Sequence, residues 1–279
     1  MTLPGGSPTV GDLVVTALKT LPKKPPDSAD REVKKRYSEQ MSAHIAAALA
    51  EGLRQRGLEG ARPSGPGELG LSGAERRMAG GIGAKKVDVT WATPESGLAL
   101  AMSVKTINFK DGRTANFQKN VPNRRSDMLF EGVTLHRRFP YAVLVGFFCL
   151  DKGAALDQTE KRRSTFINAH NLLRIFTGRQ DPAGRDEQYE RLYVGLVTAS
   201  PFDASLDLYT AGKPETPVAL DQILNEVLEI VAERNPDFYE YVDGKVRRVG
   251  HSEPKSKPAK GPKAGKKKKN EPESGKLPL

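Results

Sequence analysis

The hydrophobic and polar positions along the chain change period several times, and each change predicts an element. Tyr37, Met41, Ile45, Leu49 and Leu53 recur every four residues, the spacing of one buried stripe on a helix. Ser28 or Asp30 is placed to cap its start, and Gly57 and Gly60 to end it. Residues 61–73 (ARPSGPGELGLSG) read as a loop, and Glu75 to Met78 as one helical turn closed by Gly80, Gly81 and Gly83. The period then drops to two. Val87, Val89 and Trp91 alternate with Asp88 and Thr90, and Leu98, Leu100, Met102 and Val104 alternate with Ala99, Ala101, Ser103 and Lys105. Residues 93–97 (TPESG) form the turn, so the pair reads as an antiparallel hairpin. Residues 108–125 are polar, basic and irregular, and a helix is expected from near Ser126 to before Pro140. Residues 141–150 read as a strand buried on both faces. A helix over 157–177 has Phe166, Leu173 and Phe176 on one face, and Leu192 to Ala199 reads as another strand. A last helix from about Leu220 to Glu233 turns Ile223, Val227, Ile230 and Val231 inward. Residues 238–249 read as a small hairpin turning at Asp243-Gly244. Strands separated by helices predict one α/β domain, a mixed central sheet flanked by helices.

The two ends of the chain change this picture. Pro4, Pro8, Pro22, Pro25 and Pro26 make residues 1–26 read as a flexible segment, although Leu13 to Leu18 is apolar enough for a strand or helical turn. Residues 251–279 are dominated by Lys, Pro, Gly, Ser and Glu and read as a disordered tail. The domain is therefore expected over 27–250. The formal charge is +10, and the tail carries nine Lys against three Glu, so the body is only mildly basic. Such a tail attracts polyanions without reading sequence, and simple solubilisation is an equal alternative. A single cysteine, Cys149, excludes a disulfide framework and argues against a Cys-based zinc site. No stretch approaches the roughly 18 apolar residues of a membrane helix. The N-terminus shows no basic segment followed by an apolar one, so a cytoplasmic setting is expected.

Candidate chemistry concentrates on the hairpin. Ser103 and Lys105 are two apart and leave the same face of their strand, opposite Met102 and Val104. A lysine in LALAMSVKTI needs an anion, and Asp88 on the partner strand supplies one. Phosphodiester hydrolysis needs a divalent cation on hard oxygen ligands, a deprotonated water and compensation of growing negative charge. Asp88 and the backbone carbonyl of Val104 are candidate metal ligands, and Lys105 is a candidate to orient or deprotonate the water or to steady the developing charge. The plain alternative is a cross-strand salt bridge between Asp88 and Lys105.

KKVDV followed by SVK resembles the D…(D/E)XK core of the restriction-endonuclease-like (PD-(D/E)XK) nuclease superfamily. The resemblance carries Asp88 onto the metal-binding aspartate and Lys105 onto the lysine, and it implies a restriction-endonuclease-like core. Ser103 stands where that superfamily usually has an acid. Serine there is similar to a variant in which the acid has moved to a neighbouring helix, behind an Arg, five residues, Glu spacing; Arg125 to Glu131 has that spacing. Glu75, thirteen residues before Asp88, matches a glutamate that many members carry on the preceding helix. The resemblance thus implies a Mg²⁺ site (Mn²⁺ as substitute) on Asp88 with Glu75 or Glu131, and a catalytic set of Asp88, Lys105, Glu75 and Ser103. It implies cleavage of double-stranded DNA to 5′-phosphate ends, as in type II restriction or anti-phage defence. It also implies a homodimer or partner proteins of such a system as candidate assemblies, and no membrane.

The stretch INFKDGRTANFQKNVPNRR follows directly on the candidate strand. Lys110, Arg113, Lys119, Asn120, Arg124 and Arg125 are its candidate nucleic-acid contacts, since guanidinium and amide groups suit phosphates and base edges. Phe109 and Phe117 are suited either to stack on a base or to anchor the loop. His44, His136 and His170 lie on expected helices without HExxH or HxH spacing, which disfavours a zinc enzyme. A binding protein on the same fold that lacks catalysis is the alternative function, and Ser103 is the feature that favours it.

Overall fold

The computed structural model describes residues 8–64, 76–79, 83–180 and 184–250, with the side chains of 76–79, 84 and 85 left aside. In chain order the elements are α1 (Val10–Lys19), α2 (Arg31–Arg54), β1 (Arg76–Ala79), β2 (Ala84–Val87), β3 (Val89–Thr93), β4 (Gly97–Ile107) and α3 (Val121–His136). They continue with β5 (Val143–Asp151), α4 (Thr165–Leu173), β6 (Arg191–Thr198), β7 (Ser205–Thr210), α5 (Leu220–Glu233), β8 (Tyr239–Val242) and β9 (Lys245–Arg248).

Five strands form one mixed sheet in the order β3-β4-β5-β6-β7, with helices on both faces. The central pairs β4/β5 and β5/β6 are parallel, and the edge pairs β3/β4 and β6/β7 are antiparallel. β5 is buried along its length because parallel neighbours and helices cover both its faces, which is why its sequence lacks alternation. Met102 and Val104 of β4 point to one face, packed with α1, α2 and α5. Ala101 and Ile107 point to the other, packed with α3 and α4. The mixed α/β architecture and the β3/β4 hairpin are as the pattern predicts. So is the β8/β9 turn, where Asp243 (φ 51°) and Gly244 (φ 76°) adopt the left-handed conformation that a two-residue turn requires.

Four local expectations are corrected. The segment before residue 27 is not loosely held: Val10, Val14 and Leu18 of α1 are buried in the core, and Thr9 and Asp12 form a capping box. An apolar residue every four positions outweighed the prolines, which all fall outside the helix. Residues 76–78 are strand rather than helix, because β1 pairs antiparallel with β2. α3 begins at Val121, five residues before the expected start, with Pro122 in its first turn where a missing N–H costs nothing. α4 is short, since Ser164 caps it by accepting from Ile167 N (3.4 Å) and holds the start at Thr165. The antiparallel edge strand β7 was not anticipated. Glu75 and the tail 251–279 lie outside the described residues. No helix among the described residues is long and apolar enough to cross a membrane.

A buried carboxylate ties the layers together. Glu190, fully buried just before β6, accepts from Leu144 N (2.6 Å), Arg179 Nη1 (3.0 Å) and Arg234 Nη1 (2.8 Å), and His136 Nε2 stands 3.4 Å away. It therefore joins β5, the end of α3, the segment after α4 and the end of α5. Burial alone would raise its pKa, but His136, Arg234 and the Leu144 N–H outweigh burial and bring it to about 2. A carboxylate held below its ordinary 4.5 stabilises the fold above that pH and loses the contribution as pH falls towards about 2. Glu190→Gln should cost about 3–5 kcal/mol in urea unfolding at neutral pH, because two buried guanidinium groups lose their counter-charge. It should also flatten the loss of stability between pH 4.5 and 2. An unchanged unfolding midpoint would remove Glu190 from this role.

Candidate functional site

β4 outruns its partner. The β3/β4 ladder ends at Val89↔Met102, so Val104 has no strand partner on that edge. Asp88, at the break between β2 and β3, fills the gap: its Oδ2 accepts from Val104 N at 2.7 Å. A residue's N–H and C=O leave an extended strand on the same edge, so the Val104 carbonyl is directed to the side that Asp88 occupies.

The next residue carries the charge of the site. Lys105 Nζ lies 3.2 Å from Glu131 Oε2 and 3.6 Å from Asp88 Oδ2. Its side chain is 16% exposed and that of Glu131 only 5%. Burial is the largest influence on the Lys105 pKa and acts to lower it; Glu131 and then Asp88 outweigh burial, and the net displacement is upward. The ammonium therefore stays protonated, and one positive charge faces two carboxylates.

Glu131 arrives from α3, whose buried face also carries Met128, Gly132 and Leu135. α3 approaches β5 closely at Gly146, where a Cβ would fall 2.5 Å from Met128 Cε and 2.4 Å from Leu192 Cδ1. Tyr189 Oη donates to the Met128 carbonyl at 2.9 Å, and the phenol also stands beside Ser103. Burial, with Glu131 and Asp88 nearby, holds the Tyr189 phenol well above the usual range, so it acts as a donor.

Asp88, Val104 and Lys105 lie in the floor of a groove of about 930 Å³. One wall is the first half of α2, with Arg31, Lys34, Lys35, Ser38, Glu39 and Ser42; the other is the loop after β4 and the start of α3, with Lys110, Asp111, Lys119, Asn120, Asn123, Arg124 and Asp127. Seven cationic side chains face four carboxylates along it. The α2 wall is pinned to the floor: Asn108 Nδ2 donates to Ser38 Oγ (3.1 Å), Thr106 Oγ1 donates to the Ser38 carbonyl (3.4 Å), and Ser42 Oγ lies 3.3 Å from Thr106 Oγ1. On the opposite side Asp111 gathers the Lys119 ammonium and the N–H groups of Thr114 and Arg113, which bring its carboxyl down to about 2.

The predicted residues divide clearly. Asp88, Lys105 and Glu131 come together although they span forty-four positions, and Val104 adjoins them. Ser103 shares the face of Lys105 but is buried and does not line the groove. Glu75 lies outside the described residues. Of the candidate nucleic-acid contacts, Lys110, Lys119, Asn120 and Arg124 line the groove, whereas Arg113 and Arg125 do not. Phe117 is an anchor: it is buried, and its N–H donates to Asp157 Oδ2 (3.0 Å). His136 and His170 are buried packing residues; Gly212 N donates to His170 Nδ1 (3.1 Å), and burial lowers the His170 pKa to about 4. Sequence reasoning missed the α2 wall. Its signal was present, since Arg31, Lys34, Lys35, Ser38 and Ser42 recur at helical spacing beside the apolar stripe.

Among the described residues no set of three His, Cys, Asp or Glu side chains is arranged to hold a metal ion. Magnesium, however, commonly uses one or two protein carboxylates and fills its shell with water and substrate phosphate oxygens. Asp88 and Glu131, both within reach of the Lys105 ammonium, fit that demand with the Val104 carbonyl beside them. A purely structural ion triad accounts for the same two ion-pair distances, but not for the placement of Asp88 and Lys105 in the floor of a cationic groove, which the buried Glu131 does not itself line. No family model, curated protein or solved structure matches the chain.

Replacing Glu131 by Gln removes the strongest influence that raises the Lys105 pKa and should shift its titration downward. The double replacement Asp88→Asn/Glu131→Gln leaves burial unopposed and should take it below the ordinary 10.5. Heteronuclear NMR of isotope-labelled lysine, assigned with Lys105→Arg, checks this; a titration indifferent to both carboxylates would refute the shared-ammonium geometry.

Proposed function

We propose that the protein is a metal-dependent DNA endonuclease of the restriction-endonuclease-like kind. The observation that supports this reading is the placement of Asp88 and Lys105 at the floor of a cationic groove, with the buried Glu131 carboxylate against the Lys105 ammonium. Asp88 and Glu131, with the Val104 carbonyl, would hold a magnesium ion, and manganese would substitute. The bound ion would supply a Lewis acid for the phosphoryl oxygen and a more acidic water. The chain's own residues do the positioning. Lys105, protonated in the resting site, offers its ammonium to the scissile phosphate and stabilises the charge that grows on it. It orients the attacking water from the same place. Asp88 keeps the end of β4 in register through the Val104 N–H, so the ligand and the ammonium stay on one rigid strand. Glu131 takes the part of the acid that Ser103 does not provide.

Double-stranded DNA is the proposed substrate, and a restriction or anti-phage role in the cytoplasm is the proposed setting. A homodimer, or partner proteins of such a system, would bring two sites to the two strands. The second reading is a DNA-binding protein without catalysis. Two features favour it: Ser103 in the usual acidic position, and only two carboxylates at the lysine.

Plasmid incubated with the full chain and Mg²⁺ should be nicked or linearised, and chelation of the metal should stop this. Asp88→Ala, Lys105→Ala and Glu131→Ala should each slow cleavage on the order of a hundredfold or more. Retention of plasmid without any cleavage would select the second reading, and cleavage indifferent to all three substitutions would overturn the first.

A further inference from the structure

We infer that duplex DNA is held in the groove mainly by the α2 wall together with Lys110, rather than by the loop and α3 that follow the active-site strand. This inference rests on the reading of the groove as a DNA site and specifies which surface of it carries the phosphates.

The argument is charge compensation. On the α3 side the groove's cations are already matched: Lys119 pairs with Asp111 (2.5 Å) and Arg124 with Asp127 (3.5 Å). Lys105 in the floor is matched by Glu131 and Asp88. A phosphate approaching those groups must compete with carboxylates already in place, so the net attraction is small. The position of Arg31, Lys34 and Lys110 is different. All three line the groove, and none takes part in an ion pair among the described residues. Lys35 is weakly matched, with Glu32 4.0 Å away on the exposed side of the helix.

The uncompensated groups are also held ready. Lys34 Nζ donates one hydrogen bond, to the Asp27 carbonyl (2.9 Å), which leaves two of its three donors for a ligand. Lys34 stands over the Phe109 ring and Lys110 over the Phe117 ring, each 5.9 Å from the centroid. Those rings are fixed in turn, Phe117 by burial and Phe109 by an edge contact with Tyr37 of α2 (5.7 Å). Arg31 and Lys34 are three apart on a helix and so share one face. Both belong to the first turn of α2, where the helix dipole adds to their positive charge.

The test is equilibrium binding of a fluorescein-labelled DNA duplex of arbitrary sequence to the full chain, read by anisotropy in EDTA over a range of salt. Arg31→Ala/Lys34→Ala should weaken binding about tenfold at moderate salt and reduce the slope of log affinity against log salt by about two. Arg31→Lys/Lys34→Arg, which keeps both charges, should restore the wild-type slope and controls for folding. Removing a matched pair outright, Arg124→Ala/Asp127→Ala, should leave affinity within about twofold. Binding that ignores the α2 substitutions, or that fails only with the matched pair removed, overturns this inference and leaves the nuclease reading standing. A wild-type chain that does not bind duplex overturns both.

Discussion

One ammonium group shared by two carboxylates holds the functional face of this domain together. Lys105 keeps its charge while mostly buried only because Glu131 and Asp88 flank it, and Glu131 is tolerated in the interior only because Lys105 is there. The dependence is mutual, so the charge pattern fixes geometry: α3 must present Glu131 to β4. Asp88 adds a second constraint by accepting from Val104 N, which satisfies a donor that the shorter β3 leaves unpaired. A side chain that finishes a strand edge while facing a cation has little freedom to move. That is the rigidity the proposed catalytic role would require.

The rest of the fold reinforces α3 from behind. Its last residue, His136, meets the Glu190 hub, and about two turns earlier Tyr189 donates to the Met128 carbonyl. Gly146 lets the helix lie close on β5. Tyr189 and Glu190 are neighbours in the chain, so one short segment secures both the middle and the end of α3. The start of α3 is treated differently. Arg124, Asp127 and the preceding loop face the groove and are braced mainly by local pairs such as Lys119–Asp111. Firm support thus lies under the carboxylates, and the more adjustable charges lie at the rim.

Much of this was legible in the sequence where one period dominates a segment. The four-residue stripe of α2, the alternation of β3 and β4 and the unbroken apolar run of β5 each name their element. The bond between Asp88 and Lys105 followed from two charged groups in adjoining apolar strands. Where the reading failed, a competing local signal misled it. The prolines around α1 hid its Val10, Val14, Leu18 stripe, although Pro is excluded only from the helix interior. Basic character made residues 121–125 read as loop when Pro122 marks a helix start. The cationic wall of α2 was hidden differently. The reading of that helix followed only its apolar stripe, and nothing local says that β4 ends against the basic residues beside it.

Ser103 is the position on which the catalytic and the merely binding readings divide, and the packing around it bears on that choice. Here the side chain is buried beside the Tyr189 phenol, on the face of β4 that α3 covers, and it does not reach the groove. A carboxylate at 103 would be enclosed next to Glu131, and two like charges in so dry a place cannot both remain ionised. A small hydroxyl at 103 and an acid at 131 are therefore linked choices: the helix can deliver its carboxylate to Lys105 because the strand does not. On that argument a serine at 103 fits the ligand role proposed for Glu131, because the strand leaves room for the helix to bring its carboxylate to Lys105.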